Sequence, residues 1–180
     1  MTLSDYRTAV VTGASSGIGA ATVEALRGRG LEVYAVARRA DRLAALAERT
    51  GCVAQVLDVR DTDALTGMLD SLEADVLVNN AGLGRAAQTL ADATTEDVDR
   101  ILSTNVVAAV HAARAVLPGM RDRGRGHVVN VGSMAGLYPL ASSVYGASKG
   151  ALHVLSMDLR LELAGTGVRI TEICPGRVRT

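Results

Sequence analysis

Residues 8–26 read Thr8-Ala9-Val10-Val11-Thr12-Gly13-Ala14-Ser15-Ser16-Gly17-Ile18-Gly19-Ala20-Ala21-Thr22-Val23-Glu24-Ala25-Leu26. The apolar run Ala9-Val10-Val11 has the length of a buried strand, and Ala20 to Leu26 has good helix propensity. Between them, glycines at 13, 17 and 19 permit a tight turn and let backbone N–H groups approach an anion closely. The positive end of the helix behind them attracts a phosphate. Strand, glycine loop and helix in this order make a dinucleotide-binding unit, here with Gly-x-x-x-Gly-x-Gly spacing. The absence of a following Gly-Lys-Ser/Thr argues against a P-loop.

Outward from this unit, Val-rich segments near 8–12, 32–37, 52–57, 75–79, 127–132 and 168–174 alternate with helical segments near 17–28, 40–49, 61–72, 94–118 and 142–164. Repeated βα units imply an α/β, doubly wound Rossmann fold, with a parallel sheet covered by helices on both faces. The expected strand order is 3-2-1-4-5-6, with the ligand crevice at the carboxyl ends where the order reverses. At 180 residues and 48% apolar content, one domain with an ample core is expected. Nineteen acidic residues balance nineteen basic ones, so nothing favours nucleic acid or an anionic membrane. No apolar stretch is expected to approach the ~18 residues of a membrane helix, and the N-terminus lacks a charged-then-apolar signal segment. Cys52 and Cys174 fall in strands three and six, roughly 24 Å apart at ~4.8 Å per strand. They are read as buried free thiols of a cytoplasmic protein, forming neither a disulfide nor a metal site. His111, His127 and His153 share no triad or metal spacing with another ligand and read as structural.

The only lysine is Lys149, four residues after Tyr145; every other basic residue is arginine. Four residues apart on a helix puts both side chains on one face. A nearby cation favours the ionised form of a phenol, so this pair suits general acid–base work near neutral pH. A compact ammonium serves that purpose better than a guanidinium committed to fork geometry. At the end of strand two, Val33-Tyr34-Ala35-Val36-Ala37 runs into Arg38-Arg39, with no carboxylate before Asp41. A carboxylate there would read a ribose 2′-hydroxyl, whereas an arginine binds a 2′-phosphate bidentately. The expectation is NADP(H) preferred over NAD(H), with Arg38 the principal contact and Arg39 beside it.

Together these residues resemble the short-chain dehydrogenase/reductase family, and the likeness runs along the whole chain. Thr12 to Gly19 looks like its cofactor loop, bringing Gly13, Ser15, Ser16, Gly17, Ile18 and Gly19 to the dinucleotide. Asn79-Asn80-Ala81-Gly82 is similar to its motif after strand four. Asn105, Ser133, Tyr145 and Lys149 fall in the order and spacing of its catalytic four. Pro175-Gly176, followed by Val178 and Thr180, resembles its segment after strand six. The resemblance implies adenine contacts from Asp58 and Val59, and a wall of Asn80, Ala81 and Gly82 beside the adenosine. It implies a carboxamide and phosphate contact from Val178 and Thr180, and a second task for Lys149 on the nicotinamide ribose. Ser133 would bind the substrate oxygen, Tyr145 would exchange its proton, and Asn105 would hold a water linking Lys149 to solvent.

The implied activity is hydride transfer between nicotinamide and a small carbonyl or secondary alcohol substrate. An epimerase or dehydratase would use the same tyrosine and lysine. Family members continue past the Pro-Gly segment with a substrate-covering element, a further helix and a seventh strand. The sequence stops at Thr180, so a C-terminally truncated domain is expected. A nucleotide-binding module with little catalysis is then the reading from a different class. The stripe Ala147, Ala151, Val154 and Leu161 lies beside the sheet-covering stripe Leu152, Leu155, Leu159 and Leu163. It suits a homodimer or homotetramer built through helices 94–118 and 142–164, which the resemblance also implies.

Overall fold

A computed structural model describes residues 2–84, 89–176 and 178. Strands β1 (Thr8–Thr12), β2 (Glu32–Ala37), β3 (Val53–Val56), β4 (Val76–Asn79), β5 (Gly126–Val131) and β6 (Val168–Ile173) form one parallel sheet in the order β3-β2-β1-β4-β5-β6. The helices between them are α1 (Gly17–Arg27), α2 (Ala40–Thr50), α3 (Thr62–Asp70), α4 (Thr95–Leu102), α5 (Ala108–Asp122) and α6 (Ser143–Glu162). This is the doubly wound Rossmann arrangement expected from the alternating pattern.

Side chains along a strand point to opposite faces in turn, and in the central strands β1, β2, β4 and β5 both faces are largely buried. Val11, Val33, Ala35 and Val78 pack with Val23 of α1 and with Leu43 and Leu46 of α2. On the other face Val10, Leu77 and Val128 pack with Leu65 and Leu69 of α3, Ala112, Val116 and Met120 of α5, and Leu159 of α6. Burying each such Leu or Val contributes about 1.5–3 kcal/mol, which is why these strands read as unbroken apolar runs. Buried polar side chains beneath the crevice are paired with one another. Asn79 donates to Asn130 Oδ1 at 3.0 Å, and Asn130 donates to Ser156 Oγ at 2.8 Å. Strands β4 and β5 are thereby joined to α6 just below the crevice.

Three expectations need correction. The segment near 94–118 is not one α-helix, because residues Ser103–Val107 form a π-helical turn between α4 and α5. The combined helix Thr95–Asp122 is, against the expectation above, long and apolar enough by composition to cross a membrane. Its apolar side is used by the sheet: Ala108, Ala109, Ala112, Val116 and Met120 are all buried. Neither cysteine lies within a strand. Cys52 precedes β3 and is buried, whereas Cys174 follows β6 and is half-buried, and both are free.

Candidate active site

The carboxyl ends of β1 and β4 are knitted together around the glycine loop. Thr12 Oγ1 accepts from the Asn80 and Ala81 amides at 3.0 Å each. The Asn80 amide group donates back to the Thr12 and Gly13 carbonyls at 2.8 and 3.2 Å. Gly13 has φ +66°, and a Cβ there would stand 2.8 Å from Ala81 Cα. A Cβ on Gly19 would run into the Gly13 carbonyl oxygen. Both positions therefore require glycine; Gly13 lines a cavity of about 420 Å³, whereas Gly19, expected at the dinucleotide, is buried where α1 packs on the Gly13 carbonyl and does not line it. The α1 N-terminus opens beside it: Ser16 sits at the N-cap position but makes no side-chain cap, so the first amides of the helix stay open to an anion.

Gly13, Ser15, Ser16, Gly17, Ile18, Arg38, Arg39, Asp58, Val59, Asn80, Ala81 and Gly82 all line this cavity, joined by Ala37, Leu57, Leu83 and Thr104. These last four come from elements already singled out, and periodicity alone does not show which of their residues face inward. The two arginines divide differently from the expectation. Arg39 reaches back to the glycine loop, donating from Nε and Nη2 to Ser15 Oγ at 3.0 and 2.8 Å and from Nη2 to Ser16 Oγ at 2.8 Å. Arg38 leans instead toward Asp58, at 3.6 Å. Arg60, which sequence reasoning did not single out, pairs with Asp58 at 2.7 Å. Its hydrogen bonds hold the Asp58 carboxyl below the usual carboxylate range. With that carboxylate neutralised, the rim between Ser15, Arg38 and Arg39 is cationic.

The second cluster lies where α6 meets the ends of β4 and β5. Lys149 is only 5% exposed, donates from Nζ to the Val131 carbonyl at 2.7 Å and stands 6.0 Å from the Tyr145 ring centroid. Burial pulls its pKa down to about 8, with Glu172 and then Cys174 opposing the fall. The 3₁₀ turn Met134–Gly136 presses Ser133 toward this face, since a Cβ on Gly136 would stand 2.6 Å from the Lys149 carbonyl carbon. Ser133 Oγ accepts from the Ala135 amide at 3.1 Å, which leaves its own hydroxyl proton free to donate. A Cβ on Gly82 would lie 3.5 Å from both Lys149 Nζ and Asn105 Oδ1, so the two clusters meet at Gly82.

The Asn105 side chain is fully engaged within the protein. Its Oδ1 accepts from the Leu83 amide at 2.7 Å, and its Nδ2 donates to the Leu83 carbonyl and to Ser148 Oγ, each at 3.0 Å. Ser148 in turn donates to the Tyr145 carbonyl at 2.7 Å. The side chain is thus committed to protein partners. The π-helical turn around it displaces the backbone there from regular helix geometry, and such turns recur at functional sites.

Three further placements complete the comparison with expectation. Pro175 accepts from the Met134 amide at 3.1 Å, tying the segment after β6 to the Ser133 turn, while Gly176 and Val178 are exposed. Thr180 lies outside the described residues. His153, read as structural with no carboxylate in spacing, pairs through Nδ1 with Glu172 Oε2 at 2.7 Å. The two are 19 positions apart in the chain and meet only because α6 packs on β6.

Comparison with known proteins agrees with this geometry. The short chain dehydrogenase family model matches residues 7–180. The NADP-dependent 3-hydroxy acid dehydrogenase YdfG of Escherichia coli is 43% identical over 178 residues, covering 94% of this chain and 71% of the relative. A closed form of serine dehydrogenase complexed with NADP+ superposes with a TM-score of 0.89 at 41% identity, covering 94% of this chain and 71% of that one. A short-chain dehydrogenase from Sphingobium yanoikuyae in complex with NADPH gives a TM-score of 0.90 at 35% identity, covering 96% and 72%. The glycine loop, the crevice and the Tyr145–Lys149 face thus occur in a chain that belongs to the short-chain dehydrogenase family.

Proposed function

We propose that this protein is an NADP(H)-dependent oxidoreductase that interconverts a carbonyl and a secondary alcohol, with Tyr145 as the acid–base group. The observation that carries the reading is the buried ammonium of Lys149, 6.0 Å from the Tyr145 ring beside the turn that presents Ser133. Few structural needs justify sinking a lone cation among apolar neighbours, whereas proton transfer does. The cavity fits a dinucleotide by its own chemistry: a glycine loop, an uncapped helix N-terminus and a cationic rim. Arg39 with Ser15 would receive the 2′-phosphate and Arg38 would flank it, so NADP(H) is preferred over NAD(H). The NADP dependence printed for YdfG and the NADP+ and NADPH complexes of the structural neighbours support that choice.

A bound nicotinamide supplies or accepts hydride at carbon. In the reducing direction negative charge gathers on the substrate oxygen, where Ser133 donates a hydrogen bond and Tyr145 gives up its phenolic proton. Lys149 stabilises the phenolate left behind and, near pH 8, can pass on a proton of its own. Asn105 and Ser148 act as positioning residues, fixing the Leu83 wall and the turn of α6 that carries Tyr145. The protein is proposed to associate as a homodimer or homotetramer through α5 and α6. Tyr145→Phe tests the assignment: NADPH-linked reduction of carbonyl compounds should fall by about 10³-fold or more while NADPH binding stays near wild type. Wild-type binding without turnover across a carbonyl panel would leave a nucleotide-binding module, and an active Tyr145→Phe would remove the phenol from the chemistry.

A further inference from the structure

Behind the Tyr145–Lys149 face lies a carboxylate that the chemistry above does not use. The Glu172 side chain is only 6% exposed at the end of β6, on the side of the sheet that α6 covers. Its Oε2 is taken by His153 Nδ1 at 2.7 Å, while its Oε1 is buried without a hydrogen-bond partner. That oxygen is wedged against Gly132, where an added Cβ would collide with it. Gly132 follows Val131, whose carbonyl holds Lys149 Nζ, and precedes Ser133. His153 is one turn beyond Lys149 on the same face of α6. A buried carboxylate oxygen left without a hydrogen bond opposes folding, and attraction to a nearby cation offsets part of that cost.

We infer that Glu172 is a positioning residue for the reaction: set under Gly132 and oriented by His153, its carboxylate keeps Lys149 an ammonium beside the phenol. The inference rests on the assignment of Tyr145 and Lys149 given under Proposed function. Lys149 and Glu172 are not directly paired, so the effect passes through the low-dielectric interior. The groups facing this carboxylate are few. From α6 they are Lys149, His153 and Arg160, whose Nε donates to the Ile170 carbonyl; from the segment after β6 there is Cys174; the end of β5 and the residue after it present Val131 and Gly132. Among them Lys149 is the group held as a cation against burial, and Glu172 is the first charge opposing the loss of its proton.

Because Lys149 is the only lysine, ¹³C-lysine labelling gives a single side-chain signal whose pH titration reads this amine directly. The wild type should titrate near 8. Glu172→Gln should move the midpoint down by more than about half a pH unit, and Glu172→Asp, which keeps the charge, should leave it within that margin. An unchanged midpoint in folded Glu172→Gln overturns the inference. If that variant does not fold, the wild type decides: the ¹³C signal of the Glu172 carboxyl should step at the Lys149 midpoint, and a flat signal overturns the inference. Neither readout needs turnover, so failure of the enzyme assignment and failure of this coupling are told apart.

Discussion

Lys149 is a residue whose function opposes stability. An ammonium buried to 5% exposure and brought from 10.5 to about 8 binds its proton less tightly in the folded chain than in the unfolded one. Above pH 8 the folded state sheds that proton first, so the unfolded state holds the excess until about 10.5 and folding gains stability as pH rises. Against Lys149→Met, which does not titrate, the wild-type unfolding free energy should rise by up to about 3 kcal/mol across that window and stay level below it. Urea denaturation at a series of pH values measures it; a difference that falls through the window contradicts the burial argument. The importance of this position was legible from composition, since one lysine among eighteen arginines invites a reason. The roles of Arg38 and Arg39 were harder to assign, because adjacent residues at a strand end point to different sides. Only the placement of Ser15 and Ser16 shows that Arg39 is the one bound to the loop. Glu172 and His153 gave no signal at all, being distant in sequence and joined solely by tertiary packing.

Among the elements, the strands and their order were readable because every strand carries at least two Val or Ile residues, although the edge strands β3 and β6 also carry Gln55, Arg169 and Glu172. The π-helical turn at Ser103–Val107 was not readable, since its side chains continue a helical pattern and the extra residue per turn leaves no mark in polarity. Helix α6 shows how two stripes on one helix separate by use. Leu152 and Leu159 are buried against the sheet, while Val154, Met157 and Leu161 remain exposed, Leu161 by 78%. Val107, at the end of the π-helical turn, and Val110 on α5 are exposed too. Covering these side chains with the same helices of a second copy would remove them from water at about 25 cal/mol per Å². Sedimentation should therefore show a dimer or tetramer, and Leu161→Glu should lower the association by about tenfold or more. A wild type that sediments as a monomer contradicts the assignment of this face.

At the scale of the molecule, the reversal of strand order between β1 and β4 does most of the functional work. It leaves a crevice at the carboxyl ends of the sheet into which the loops after β1, β2, β3 and β4 all open. The same layout brings the crevice and the Lys149 side chain of α6 together at Gly82. The chain covers 71% of the length of YdfG.

The central claim is that this crevice selects a phosphorylated dinucleotide, and fluorescence titration of the protein with NADPH and, in parallel, NADH tests it most directly. The chain has no tryptophan, so the reduced nicotinamide signal is read without interference. Saturable NADPH binding at least about tenfold tighter than NADH is predicted, the order expected of charge-assisted hydrogen bonds from an arginine to a phosphate. Equal affinities, or tighter binding of NADH, would contradict the role given to Arg39, Arg38 and Ser15.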